Sequence, residues 1–214
     1  MGRRFDAVLF DMDGVLVDSE PLHDDAVRAL LAAHGLRDVD AILREFVGTR
    51  DIDMFRALCV RHGLGDDPQA LTDRRTAMTV ARLERGVAVM PGVPEVPTWL
   101  AGAGYALAVA SSSTLDIIEV TLRVAGVRPL FPVVVSGAGV PRGKPAPDVF
   151  LAAAERLGVA PERCVVVEDS RHGLLAAKAA GMTCAAIPCA ATRHLDFSEA
   201  DWRLGSLTEL PALL

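Results

Sequence analysis

Hydrophobic positions fall in two rhythms along the chain. Short apolar runs bounded by polar or glycine-rich stretches predict buried strands at 7–10, 105–110, 132–135, 164–167 and 183–187, with a last one near 202–204. Elsewhere apolar residues recur every three or four positions, as on one face of a helix. Leu22, Ala26, Ala29, Leu30 and Ala33 form such a face, with Ser19 at the capping position, Pro21 in the first turn and Gly35 beyond the end. Further helices are predicted near 41–46, over 51–61 before Gly63, and over 68–85 before Gly86. Others are predicted over 93–100, 115–124, from the Lys144-Pro145-Ala146-Pro147-Asp148 opening to Gly158, and over 174–180.

The order of these elements sets the fold class. From Gly86 onward strands and helices alternate, which predicts α/β architecture: a parallel sheet with helices on both faces. Nothing between Pro21 and Arg85 reads as a strand. That block is far longer than an ordinary crossover, so it is read as an inserted all-helical domain. The expected division is 1–17 and 87–214 for the sheet domain and 18–86 for the helical one.

Composition narrows the function class. With 214 residues, 51% hydrophobic and 23% charged, a sizeable core is available. The net charge is −6 and no basic run could track a nucleic-acid backbone, so no nucleic-acid partner is expected. A small anionic substrate would need a local cationic pocket. Cys59, Cys164, Cys184 and Cys189 lack metal-finger spacing and read as free thiols of a reducing cytosol. Met1-Gly2-Arg3-Arg4 leads straight into the first strand, and no apolar stretch approaches the ~20 residues of a membrane span. A cytoplasmic protein without membrane contact is expected, and a monomer is favoured.

The chemistry gathers where strands end. Asp11 and Asp13 follow the first strand, Ser111 the second, and Glu168-Asp169 a later one; Lys144 lies in the loop after the short 132–135 strand. In a parallel sheet all carboxyl ends share one edge, where ligands bind. A lone Asp-x-Asp is usually a turn or helix cap. A second acidic pair on the same edge changes that reading. Four carboxylates in one cleft need a hard divalent cation with oxygen ligands, and magnesium fits that need. Asp11 can then attack phosphorus, and Asp13 can protonate the leaving oxygen and later deprotonate water. Ser111 and backbone N–H groups near Ser112 would hold phosphoryl oxygens, while Lys144 would supply positive charge. Read alone, Lys144 is a solvated lysine and Ser111-Ser112-Ser113 a capping run, with Ser113 as the cap of the helix from Thr114.

Four stretches taken together resemble the motifs of the haloacid dehalogenase superfamily, in that superfamily's order. They are Asp11-x-Asp13-Gly14-Val15-Leu16-x-Asp18-Ser19, Ser111 after Ala-Val-Ala, Gly143-Lys144-Pro145-Ala146-Pro147-Asp148, and Glu168-Asp169-Ser170-x-x-Gly173. The insertion after the first motif and the Asp18–His23 segment resemble the β-phosphoglucomutase-like branch. This resemblance implies a Rossmann-like core with a mobile helical cap. It also implies Asp11 as nucleophile, Asp13 as general acid/base, and magnesium on the Asp11 carboxylate, the Asp13 carbonyl and Asp169, with Glu168 direct or through water. Gly48-Thr49-Arg50 resembles the branch's substrate loop; His23 and Arg75 match its hinge and cap positions, where a surface histidine and a solvated helix face are the plainer readings. His34 and His62 sit beside helix-ending glycines and His172 follows the last acidic motif; none of these three is expected to carry chemistry.

The expected function is a magnesium-dependent phosphatase of a small phosphorylated metabolite, a sugar phosphate by expectation. The alternative is a phosphosugar mutase of the β-phosphoglucomutase type using the same Asp11. The resembling mutases continue from serine into lysine and asparagine after the second strand, whereas this chain reads Ser113-Thr114-Leu115. A 2-haloacid dehalogenase would leave Asp13 and Glu168-Asp169 unused. A phosphonatase needs a cap lysine, and 20–86 contains none. A non-catalytic module would have lost a motif residue, and all are present.

Overall fold

The computed structural model describes residues 3–46 and 49–214. Its centre is β1 (Ala7–Phe10), buried on both faces. β1 pairs in parallel with β4 (Ala106–Ser111) on one side and β6 (Cys164–Glu168) on the other, so that Ala7 faces both Ala106 and Cys164. β5 (Val133–Ser136), β7 (Thr183–Ala186) and β8 (Trp202–Arg203) complete a six-stranded sheet in the order β5-β4-β1-β6-β7-β8. Its pairings are parallel throughout.

Successive strand residues point to opposite faces, and each face builds its own core. Val8, Phe10, Leu107, Val109, Val165 and Val167 pack on one side with α5 (Glu95–Gly102) and α6 (Leu115–Val124). Ala7, Leu9, Ala108, Ala110 and Val166 pack on the other with α7 (Asp148–Leu157) and α8 (Arg171–Ala179). The alanines on this second face let the helices approach the sheet closely.

The segment between β1 and α5 folds as α1 (Glu20–Ala33), α2 (Val39–Glu45), α3 (Asp51–His62) and α4 (Pro68–Leu83). These helices close a third, separate core around Phe55, Leu58, Leu31 and Leu71. The chain leaves and re-enters the sheet unit through two short strands that pair antiparallel. These are β2 (Val17–Asp18) and β3 (Ala88–Val89), with Val17 opposite Val89 and Asp18 opposite Ala88. The hydrophobic rhythm does not announce this two-residue ladder, because two residues carry no period.

The other departures are local. The helix expected to open at Lys144 starts at Asp148, and Lys144–Pro147 forms a turn instead. The helix expected from Leu174 starts earlier, at Arg171, because the Ser170 hydroxyl caps it by accepting from Gly173 N–H at 3.0 Å. Ser19 precedes α1 but its hydroxyl makes no cap. Among the described residues no helix is long and apolar enough to cross a membrane.

Candidate active site

Asp11, Asp13, Ser111, Lys144, Glu168 and Asp169 sit at the carboxyl edge of the sheet. Asp11 follows β1, and its N–H donates to the Val167 carbonyl at 2.9 Å. The chain then turns, with Gly14 N–H donating to the Val17 carbonyl at 2.8 Å. Gly14 has φ +77°, and a Cβ there would lie 2.3 Å from Asp169 Oδ2. Only glycine satisfies both the left-handed backbone and that close approach. Ser111 ends β4, Glu168 ends β6, and the loop after β5 brings Lys144 back to the same edge.

Lys144 is the hub of the deep half of the site. Its Nζ donates to Asp11 Oδ1 at 2.7 Å, Glu168 Oε1 at 2.6 Å and the Ala110 carbonyl at 3.2 Å. Burial disfavours its charge, but Asp11 and Glu168 outweigh it and hold the ammonium well above the ordinary lysine range. The other Glu168 oxygen, Oε2, accepts from Asp169 N–H at 3.0 Å, Ser170 N–H at 2.9 Å and Ser170 Oγ at 3.0 Å. Glu168 is thus a buried anchor that accepts at both oxygens. It needs Gly173, because a Cβ there would fall 1.7 Å from Glu168 Oε1.

Asp13 organises the outer half. Its Oδ1 accepts from the Ser19 hydroxyl and from His23 Nε2 at 3.0 Å. Its Oδ2 accepts from Ser111 Oγ at 3.4 Å and Ser113 Oγ at 3.2 Å. His23 Nδ1 in turn meets the Arg75 guanidinium, and Arg75 pairs with Asp51 Oδ2 at 2.6 Å. A guanidinium only donates, so Nδ1 accepts and Nε2 carries the hydrogen given to Asp13. A buried polar chain therefore runs from α3 through α4 and α1 to Asp13. Burial alone would raise Asp13; His23, Ser19 and Arg75 overcome it and hold the carboxyl below the usual carboxylate range. Asp11 behaves oppositely. Burial, with Glu168 and Asp13 adding to it and Lys144 opposing, raises it to about 8.

Asp11, Glu168 and Asp169 bring carboxylate oxygens within 4.8 Å of one another. All three are buried, with the Lys144 ammonium as the cation among them. Burial, Glu168 and Asp11 all raise Asp169 well above its ordinary value. Three oxygen donors short of positive charge suit a hard divalent cation. Asp11 and Asp169 are its natural holders, since Glu168 already accepts at both oxygens.

The cavity above these groups is also lined by Ser112, His23, Thr49 and Arg75. His23 and Arg75 are both buried, at 6% and 5% exposure, rather than lying on a solvated face. Arg74 does stay exposed, 3.7 Å from Asp66. Gly48 lies outside the described residues. Arg50 does not line the cavity. Its Nε and Nη2 donate to Asp53, and its Nη1 reaches the Val140 carbonyl at 3.2 Å and the Gly137 carbonyl at 3.5 Å.

Four side chains beyond the expected set reach the acids: the Ser19 and Ser113 hydroxyls on Asp13, and Cys189 and Thr192 on Asp169. Cys189 Sγ lies 3.1 Å and Thr192 Oγ1 3.3 Å from Asp169 Oδ2. Both follow β7, so the strand-end logic that found Lys144 would have reached them had it been carried one strand further. Ser113 is not a helix cap, since Thr114 occupies the cap position of α6.

Known proteins share this architecture. Residues 5–181 match the haloacid dehalogenase-like hydrolase family. CbbY of Cereibacter sphaeroides is 36% identical, over 97% of this chain and 95% of its own. Hexitol phosphatase B of Escherichia coli K12 is also 36% identical, over 98% and 96%. A solved structure of CbbY from Rhodobacter sphaeroides with xylulose-1,5-bisphosphate superposes with a TM-score of 0.86, at 35% identity and 96% coverage of both chains. With a family match over most of its length and relatives aligned almost end to end, the chain belongs to the haloacid dehalogenase-like hydrolases.

Proposed function

We propose that the protein is a phosphatase that hydrolyses a small sugar or polyol phosphate through an aspartyl-phosphate on Asp11, with magnesium as its cation. The single observation that carries this is the opposed treatment of Asp11 and Asp13, two residues apart. Asp11 is fixed between Lys144 and the Asp169 side of the site. Asp13 is held by four side-chain donors outside that cluster. Paired carboxyls in contrasting environments take different chemical roles.

In this reading Asp11 Oδ attacks phosphorus while Lys144 keeps Asp11 in place and offsets charge at the phosphoryl group. Asp13, ionised in the free chain, takes the proton carried in by the phosphate monoanion and passes it to the departing sugar oxygen. It then takes a proton from the water that cleaves the acyl phosphate and gives it up to the released phosphate, returning both carboxylates to their starting state. Ser111 and Ser112 hold phosphoryl oxygens. When bound at Asp11 and Asp169, magnesium would neutralise the carboxylates and the phosphoryl oxygens, with the Asp13 carbonyl as a further ligand. The helical unit, 18–86, acts as a cap over the core, 1–17 and 87–214, and His23 with Arg75 on the cap side orients Asp13.

The names of the relatives support phosphate esters of sugars: a hexitol phosphatase, and a CbbY that binds a sugar bisphosphate. A mutase would need a second phosphate grip on the cap side. The Ser113-Thr114-Leu115 stretch supplies no cation there, and Arg50 is bonded elsewhere. The test is phosphate release from a panel of sugar and polyol monophosphates with magnesium, for the native chain and for Asp11→Asn. Release by the native chain and a loss of ~10³-fold or more in the folded variant is expected. Undiminished turnover by Asp11→Asn would overturn the nucleophile assignment.

A further inference from the structure

The cavity has a core wall that carries the chemistry and a cap wall that meets the rest of the substrate. Three acidic residues of the cap stretch line it: Glu20, Asp24 and Asp51. Among the described residues, the basic side chains lining the cavity are Lys144, Arg75 and His23. Each is engaged. Lys144 is enclosed by Asp11 and Glu168. Arg75 enters as one half of a buried ion pair with Asp51, and its other terminal nitrogen meets His23. Arg50 is turned toward core carbonyls, its side chain lying across Gly143.

Subtracting the Arg75–Asp51 pair leaves Glu20 and Asp24 as the net charge of the cap wall. Asp24 has one modest partner, Arg28 at 3.4 Å, on the exposed side of α1, where Arg28 also bonds Asp40 at 2.8 Å. Carboxylates accept hydrogen bonds from hydroxyl groups, and they repel a second anion brought to the same wall.

We infer that the cap wall selects phosphomonoesters whose far end is neutral and rich in hydroxyls, and rejects those ending in a second phosphate or a carboxylate, with Asp24 and Glu20 as the specificity-determining residues. This rests on the phosphatase reading above and narrows it: a polyol or sugar monophosphate is the substrate class, and a bisphosphate is not. The reacting phosphate meets Lys144 and the cation site; a second anion meets neither.

Matched pairs isolate the charge of the far end. Sorbitol 6-phosphate and 6-phosphogluconate differ only in a terminal CH2OH against a carboxylate. Glucose 6-phosphate and glucose 1,6-bisphosphate differ in one phosphate. The neutral member of each pair is expected to be favoured by ten-fold or more in kcat/KM, mostly through KM. Asp24→Asn and Glu20→Gln should each narrow that ratio several-fold, and so should raising ionic strength with the native chain. A structural role for Asp24 would lower both members equally, and that result would remove it from the assignment. Equal use of both members, or preference for the charged one, would overturn the inference while leaving the phosphatase reading intact. Phosphate release from none of the four compounds would overturn both.

Discussion

At the scale of single residues, the site is a set of buried charges whose balance depends on something positive being added. Asp11, raised to about 8 chiefly by burial, and Asp169, raised well above its ordinary value, both favour their protonated forms in the metal-free chain. A group with a raised folded-state pKa supports stability below its unfolded value and withdraws that support as pH climbs toward the folded one. The metal-free protein should therefore lose stability as pH rises from about 4 toward 8. Asp13, lowered in the fold, changes stability only below its unfolded value of 3.8 and does not offset this window. Thermal melts are expected to fall by several degrees across that range. Magnesium should restore more of the loss at pH 8 than at pH 5, since the cation displaces protons. A flat metal-free melt profile would contradict the burial argument. Thr192 permits a second test, at Asp169. Removing its hydroxyl in Thr192→Val takes a hydrogen-bond donor from Asp169 Oδ2. Apparent manganese affinity, read directly by titration calorimetry or electron paramagnetic resonance, is expected to drop ~10–100-fold, with Thr192→Ser restoring it.

At the scale of elements, the glycines of the first and last acidic motifs carry as much information as the acids. Gly173 opens the first turn of α8 against Glu168, where a Cβ would overlap the carboxylate at 1.7 Å. Gly173→Ala should cost about 3 kcal/mol or more, because neither the anchored carboxylate nor the capped helix can move away. Chemical denaturation reads this, and a loss under about 1 kcal/mol would mean that Glu168 has a second home. The motif Glu168-Asp169-Ser170-x-x-Gly173 was legible because strand, acids, cap and glycine follow one another locally. The same locality made β1, β4 and β6 and the helical insertion readable. What escaped notice depends on contacts between distant segments. His23 and Arg75 are singled out by resemblance alone; their coupling to each other and to Asp51 is not visible in sequence, because only the α1–α4 packing buries them together. The β2–β3 ladder joins Val17 to Val89 across the whole insertion, and no window of sequence contains both strands.

At the scale of the whole molecule, the helical segment meets the sheet unit through apolar packing of Leu22, Val80 and Leu83 on its core, through the β2–β3 ladder and through a few polar ties, of which Arg50 is the most informative. Family resemblance assigns it to substrate. Its geometry assigns it to the joint, where it holds Asp53 on its own helix and the Val140 and Gly137 carbonyls of the core loop that leads to Lys144. A charged donor on a backbone carbonyl contributes about 1.5–3 kcal/mol when water is excluded. That is enough to bias closure of a cap without setting the stability of either unit. The two assignments differ in what Arg50→Ala should do. As a tie across the joint, its loss should speed amide exchange in 137–143 and at the start of α3 in the substrate-free protein, and enlarge the radius of gyration in solution. The melting temperature should move by only a few degrees. As a substrate grip, its loss should leave exchange in the free protein unchanged and raise KM alone. We expect the first pattern, with KM rising only as far as the open population grows. Unchanged exchange together with a raised KM would return Arg50 to the substrate, and would place a cation on the cap wall that the free protein keeps turned away.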